Sequence, residues 1–322
     1  MRSFRKAFSI IEIVFVIVIL GIVASIASDI IVQVYDSYIV QRAVYRVNYK
    51  TELAVNEIVN RLTYRIEGTT ISKNHNNFKN GSPNSDDWLP IAYVPERGTK
   101  YKTIEWIGYD NDSFSSDKLP NWSGVANYKS ASIDGFQTLG SDLKSASTII
   151  SYLSDGTVDL TEDRPAAVIF MQKNNYYSGI SEYTPECMGM IPELFKSTDC
   201  IFPVYADGND TLKFTRKNDP NSQEIRHKII TERYKLAWSA YSLVPEPKEK
   251  ENGLFDLYLY SNYQPWNGDS YLDAKSKNIL IDNVSVFKFE EDAGTIHFKL
   301  CIVERISEDN NISTCKEKVV IR

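Results

Sequence analysis

Histidine is scarce and positive charge is outnumbered. Three His occur in 322 residues, and 36 Lys and Arg stand against 42 Asp and Glu, a formal net charge of -6. A nucleic-acid-binding surface ordinarily carries a basic excess, so bulk affinity for DNA or RNA is disfavoured. The four cysteines contain no C-x-x-C pair, and His75, His227 and His297 are far apart in sequence, which argues against a zinc site. Also missing are G-x-S-x-G, H-E-x-x-H, the Walker loop and G-x-G-x-x-G. The chain is therefore expected not to be an enzyme, with no cofactor and no bound metal. Glu290, Glu291 and Asp292 form an acidic group, but at an expected strand-to-strand turn, where solvated charge is the ordinary outcome. Asp110-Asn111-Asp112 and Asp207-Gly208-Asn209-Asp210 bring oxygen ligands together without completing a calcium loop, and read as polar turns.

What is present is a long apolar run near the amino terminus. Phe8 to Ala27 holds one charged residue, Glu12, and would span about 30 Å as a helix, the thickness of a bilayer's hydrocarbon. Arg2, Arg5 and Lys6 precede it while Asp29 and Asp36 follow, so the residues before the run face the cytoplasm and the body lies outside. Neither Pro nor Gly occurs between residues 22 and 67. Val40, Val44, Val47, Ala54, Ile58, Leu62 and Ile66 recur at steps of three or four residues, or their sum of seven, with charged residues between them. One helix from about Ser9 to Glu67, stopped by Gly68, would be about 90 Å long. A separate membrane helix followed by a coiled-coil stalk has the same spacing.

Three readings compete for the run. Ser25-Ile26-Ala27 offers a small-x-small site before Ser28, as in a secretory signal peptide. A plain uncleaved anchor accounts for length and flanks, but leaves Glu12 without a purpose. The third rests on Lys6-Ala7, then Phe8, then Glu12 as the fifth residue counted from Phe8, then the apolar helix. This pattern resembles the class III leader of type IV prepilins and type II secretion pseudopilins, with Ala7 where the family usually has Gly.

The resemblance implies a pilin-like α+β fold, in which a long N-terminal helix packs on antiparallel sheet in a large C-terminal head. It implies that residues 1–7 are a leader cleaved by a prepilin peptidase between Ala7 and Phe8, that Phe8 is N-methylated, and that Glu12 serves assembly. Residues 8–28 would be the transmembrane half of the helix, 29–67 its amphipathic half, and 68–322 the extracytoplasmic head. The expected partners are other pilins or pseudopilins, the peptidase, an inner-membrane assembly platform and membrane lipid. The chain would sit in the bacterial inner membrane, N-in and C-out, before joining a periplasmic or cell-surface filament. A head of residues 68–322 has a radius of gyration of about 18 Å on compact-domain scaling. Such heads would crowd at the roughly 10 Å spacing of packed helices, which favours a tip or initiation position for a minor pilin. The alternative is a membrane-anchored binding protein or adhesin that joins no filament.

Tyr, Asn, Ser and Asp are prominent in the body, a mix suited to strands joined by polar turns. Ser72 to Asp87 reads as a polar, Asn-rich loop, while Thr103–Ile107 and Ala166–Phe170 are short apolar runs within a middle region of unassigned topology. Residues 225–322 suggest an antiparallel meander. Tyr234 to Tyr241 alternates like a strand, Pro245 to Lys250 reads as a charged turn, and further strands are expected at Leu254–Tyr260, Ile279–Phe289, Thr295–Ile306 and Ser313–Ile321. This ending loosely resembles the larger minor pilins and J-type minor pseudopilins.

With the body outside the cytoplasm, Cys187 with Cys200 and Cys301 with Cys315 are the leading disulfide assignments. Setting Cys301 opposite Cys315 also sets Lys299 opposite Glu317, and places Lys316 and Lys318 beside Leu300 and Phe298. Five N-x-S/T sequons begin at Asn111, Asn121, Asn209, Asn283 and Asn311, and Asn209 and Asn311 carry Asp two positions earlier.

Overall fold

The computed structural model describes residues 9–94, 100–114, 120–171, 184–194, 200–215, 230–248, 253–306 and 310–321. Ala7, Phe8 and His227 lie outside these residues. One helix, α1 (Ile10–Thr63), opens the described chain. Then come β1 (Ile71–Lys73), α2 (His75–Lys79), β2 (Trp88–Pro90), β3 (Thr103–Gly108), β4 (Gly135–Gln137) and α3 (Leu143–Leu153). The remaining strands are β5 (Ala166–Phe170), β6 (Phe202–Ala206), β7 (Thr211–Phe214), β8 (Tyr234–Ala237), β9 (Ser239–Pro247), β10 (Phe255–Ser261), β11 (Ser276–Asp292), β12 (Thr295–Arg305) and β13 (Asn311–Val320). They form an eight-stranded sheet in the order β13-β12-β11-β10-β9-β3-β1-β2 and a five-stranded sheet in the order β4-β7-β6-β5-β8. The layout is α+β with antiparallel sheets.

The chain divides into two compact units, residues 1–50 with 303–314, and residues 51–302 with 315–322. In the smaller, the helix is exposed through its apolar run, while Val47 is buried and Arg46 pairs with Glu304. Thr314 Oγ1 also donates to Asn48 Oδ1 at 3.0 Å. Val40 and Val44, the first residues of the expected stripe, are 43% and 38% exposed, so the buried stripe begins at Val47.

In the larger unit, Ala54, Val55, Ile58 and Leu62 form the buried face of the helix. The helix ends at Thr63, short of the expected Glu67, because the next residues join a ladder. Tyr109 N donates to Tyr64 O at 2.9 Å and Ile66 N to Ile107 O at 2.8 Å. Extended pairing with the end of β3 thus competes with another helical turn before Gly68 is reached.

Strand β5 lies inside the five-stranded sheet and is buried on both faces, as its unbroken apolar sequence requires. Val168 and Phe170 enter an aromatic core with Phe136, Phe202, Phe214 and α3's Ile150. Ala167 and Ile169 enter a second core with Ile107, Ala240, Val244 and Tyr260. Tyr234 to Tyr241 is two strands rather than one. The chain leaves the five-stranded sheet after β8 and enters the eight-stranded sheet as β9, with Trp238 at the crossing. The meander accordingly comprises β9 through β13, and β8 does not belong to it.

Two further expectations are corrected. Pro245 to Lys250 is not a turn from its start, because β9 continues through Pro247 and pairs Pro245 with Leu257 and Pro247 with Phe255. The pairing of β9 with β3 ends at Leu243, so the prolines fall where one flank has no β3 neighbour and a missing N–H is tolerated. Nor is Ser72 to Asp87 a simple loop, for it contains part of β1, all of α2 and a 3-10 turn at Ser85–Asp87. Its asparagines have an internal role. The Nδ2 groups of Asn74 and Asn77 donate to Asp87 Oδ1 at 2.9 and 2.8 Å, and Asn84 N donates to Oδ2 at 3.0 Å. Burial raises the pKa of Asp87, but these bonds and Lys100 outweigh it and hold the group down to about 2.

Both disulfides form, Cys187 with Cys200 and Cys301 with Cys315. Lys299 Nζ meets Glu317 Oε1 at 2.6 Å, the cross-strand pair expected with the second disulfide. The awkward lysines find a partner on the helix, Lys316 at 3.2 Å and Lys318 at 3.6 Å from the carboxylate of Glu52. Replacing Cys301 and Cys315 together with Ser should lower the stability of the detergent-solubilised chain by about 3 kcal/mol on the chain-entropy model. The measurement is a urea titration of the head's near-UV signal, and an unchanged midpoint would contradict this assignment.

Candidate functional site

Glu12 in the amino-terminal run and Glu105 in Thr103–Ile107 each interrupt apolar sequence, and their surroundings differ. Ser9 precedes α1, and its carbonyl accepts from the backbone N–H of Glu12 at 3.0 Å and of Ile13 at 3.2 Å. Glu12 is therefore the third helical residue, where a carboxylate faces unsatisfied N–H groups. That position is worth about 0.3–1 kcal/mol through the helix dipole. By comparison, an ionised side chain at the centre of a bilayer costs about 2.5–3.5 kcal/mol on insertion scales, and less toward either end. The local effect leaves Glu12 uncompensated over most of that range. Among the described residues, none supplies a cation to it. The helix around it reaches a mean hydropathy of 3.0 over an 18-residue window, with none of that window buried. It is long and apolar enough to anchor the chain in a membrane or to act as a signal sequence, and the two disulfides fit an oxidising, extracytoplasmic compartment for the head.

Glu105, in contrast, has its cation. In the β1–β3 register Ile71 lies opposite Glu105 and Lys73 opposite Thr103, which puts Lys73 and Glu105 on the same face as diagonal neighbours. Both side chains are 0% exposed, and Lys73 Nζ lies 2.7 Å from Glu105 Oε2 and 3.9 Å from Glu193 Oε2. Tyr263 OH donates to Glu105 Oε1 at 2.8 Å. The ammonium also sits 4.7 Å from the Phe78 ring centre and 5.6 Å from that of Tyr271. Tyr271 OH is 2.8 Å from Nδ1 of His75, whose pKa is lowered first by burial and then by Lys79. Burial raises the pKa of Glu105, while Lys73 and the Tyr263 hydroxyl oppose it. Such a pair is closed to a substrate. Its physical work is to join β1, β3 and the segment carrying Tyr263 and Tyr271.

Sequence reasoning missed this cluster, although a signal existed. Glu105 is flanked by Ile104 and Trp106, the same kind of interruption that drew attention to Glu12. Its cation was hidden because Lys73 falls in a stretch that reads as a loop.

The other candidates are dispersed. Glu290, Glu291 and Asp292 end β11 beside the turn at Ala293 and Gly294, where Glu291 is raised by burial and lowered less by Arg65. Asp110 is buried and accepts from Ser113 N at 3.0 Å and from Trp122 Nε1 at 3.1 Å. Asp207 pairs with Lys213. His297 lies opposite Glu290 across β12 and β11. Among the described residues, no group of three or more His, Cys, Asp or Glu side chains is placed to hold a metal ion. Comparison of the chain with protein-family models, with curated proteins and with solved structures found no match.

Removing one partner from a buried ion pair strands the other charge, which typically costs about 3–5 kcal/mol. Lys73→Met should destabilise the chain by that order, and Glu105→Gln in the same chain should restore much of the loss, since the amide oxygen can still accept from Tyr263. Urea titration of the single and double variants is the check. Additive losses would show that the two residues do not act as a unit.

Proposed function

We propose that the chain is a minor pilin or pseudopilin, a structural subunit that enters a type IV pilus or type II secretion pseudopilus through its N-terminal helix. The observation that carries this reading is Glu12, a lone carboxylate in the first turn of an apolar, exposed helix, without a cation of its own among the described residues. Its placement after Lys6-Ala7 and Phe8 supplies the missing charge. Cleavage between Ala7 and Phe8 frees the Phe8 amine, which the same peptidase methylates, and the resulting ammonium of one subunit pairs with Glu12 of its neighbour. In low dielectric this pairing sets the register between helices, because a carboxylate shifted by a turn would be left unpaired.

The head supports a particular place in such a filament. Residues 68–322 are too bulky to repeat at the spacing of packed helices, so the subunit belongs at the tip or in the initiating complex. The two disulfides and the apolar helix agree with a chain held N-in and C-out in the inner membrane before assembly, with its head outside the cytoplasm. Its partners are other pilins, the prepilin peptidase and the membrane assembly platform.

Glu12→Ala is expected to abolish incorporation into sheared filaments or purified tip complexes, while the membrane-held precursor keeps both disulfides and a normally folded head. Immunoblotting of filament and membrane fractions reads the outcome. Undiminished incorporation of the variant would contradict the proposal.

A further inference from the structure

The five sequons are not equivalent once placed in the fold. Asn121 is 5% exposed, and its Nδ2 is already donated to Ser113 O at 2.6 Å. Ser113 is itself the hydroxyl residue of the sequon at Asn111, and it is fully buried with its Oγ held by Asp110. Asn283 lies within β11, between β10 and β12, with its backbone N–H given to Asp256 and its Oδ1 accepting from Lys248 Nζ at 2.5 Å. Asn311 is exposed, but its preceding Asp309 lies outside the described residues.

Asn209 is different. It stands in the turn joining β6 to β7, where Asp207, Gly208 and Asn209 are all exposed. Asp207 N donates to Thr211 O at 2.9 Å, which closes the turn and leaves the Asn209 side chain outside the ladder. Gly208 has φ +83°, and a Cβ built on it would meet open space, so the turn is open on that side, while on the other the Asn209 carbonyl accepts from Leu143 N at 3.0 Å and the half-buried Thr211 donates its Oγ1 to Asp210 Oδ1 at 3.2 Å. The sequence Asp207-Gly208-Asn209-Asp210-Thr211 supplies the acceptor amide, a hydroxyl two residues later and a carboxylate two residues earlier. Asp207 is 53% exposed beside Lys213, so a cationic subsite on a modifying enzyme can still reach it.

We propose that Asn209 is an N-glycosylation site, accepting an oligosaccharide from a polyprenyl-diphosphate donor outside the cytoplasm. In this transfer Nδ2 bonds to C1 of the reducing-end sugar. The C1–O bond to the diphosphate breaks, the lipid diphosphate leaves with the electron pair, and one amide proton passes to a base. The inference rests on the extracytoplasmic placement of the head in the proposed function.

The full-length chain is expressed in bacterial cells that carry an oligosaccharyltransferase requiring an acidic residue two positions before Asn, together with its lipid-linked glycan. Peptide mass spectrometry of the purified chain then reads both the sugar and the cysteine oxidation state. The expected result is a glycan on Asn209, lost in Asn209→Gln and in Asp207→Ala, and kept in Asn121→Gln. An unmodified Asn209 in chains whose two disulfides are formed would overturn the proposal while leaving the placement of the head intact. Reduced cysteines with no sugar would overturn the placement and this inference with it. Sugar on Asn121 or Asn283 instead would overturn the accessibility argument.

Discussion

A carboxylate taken out of water needs a compensating partner, and Glu105 and Glu12 stand differently under that requirement. Within the larger unit Glu105 is answered by Lys73 at 2.7 Å and by the Tyr263 hydroxyl. That pair fixes β1 beside β3 and brings Phe78 and Tyr271 against the ammonium. At the other end of the sequence Glu12 has no such answer within the described residues. Glu105 is thus answered inside its own unit and Glu12 is not answered among the described residues, and so the proposed function is an assembly function.

The helix serves two environments. From Ile10 into the thirties its apolar side chains are exposed. Beyond Val47 one face turns inward, and Ala54, Val55, Ile58 and Leu62 are buried in the larger unit. Within that unit Glu52 receives Lys316 and Lys318 from β13, and Arg61 pairs with Glu57 at 2.7 Å. The Cys301–Cys315 bond holds β13 to β12, so the same strand is fastened covalently on one side and by ion pairs to the helix on the other.

Much of this was legible in the residues. The helix, the strands from β10 onward, both cysteine pairs and the Lys299–Glu317 register follow from periodicity, spacing and charge. Three kinds of feature did not. A polar stretch concealed β1 and α2, because Lys73 is buried through a partner far away in sequence, Glu105, and the asparagines fold the stretch onto its own Asp87. The crossing at Trp238 was invisible, since β8 and β9 continue a single alternation while belonging to different sheets. Pro245 and Pro247 looked like breakers, and whether a strand tolerates proline depends on which flank is unpaired, a fact of topology rather than of local sequence. Glu12 could be singled out from sequence alone, but its proposed partner belongs to another molecule.

The central claim concerns the amino terminus, so the most direct measurement is the mass of the native amino-terminal peptide from membranes or filaments. A peptide beginning at N-methylated Phe8 is the result predicted by a processed pilin whose new ammonium pairs with Glu12. A peptide beginning at unprocessed Met1 or at Ser28 would contradict it.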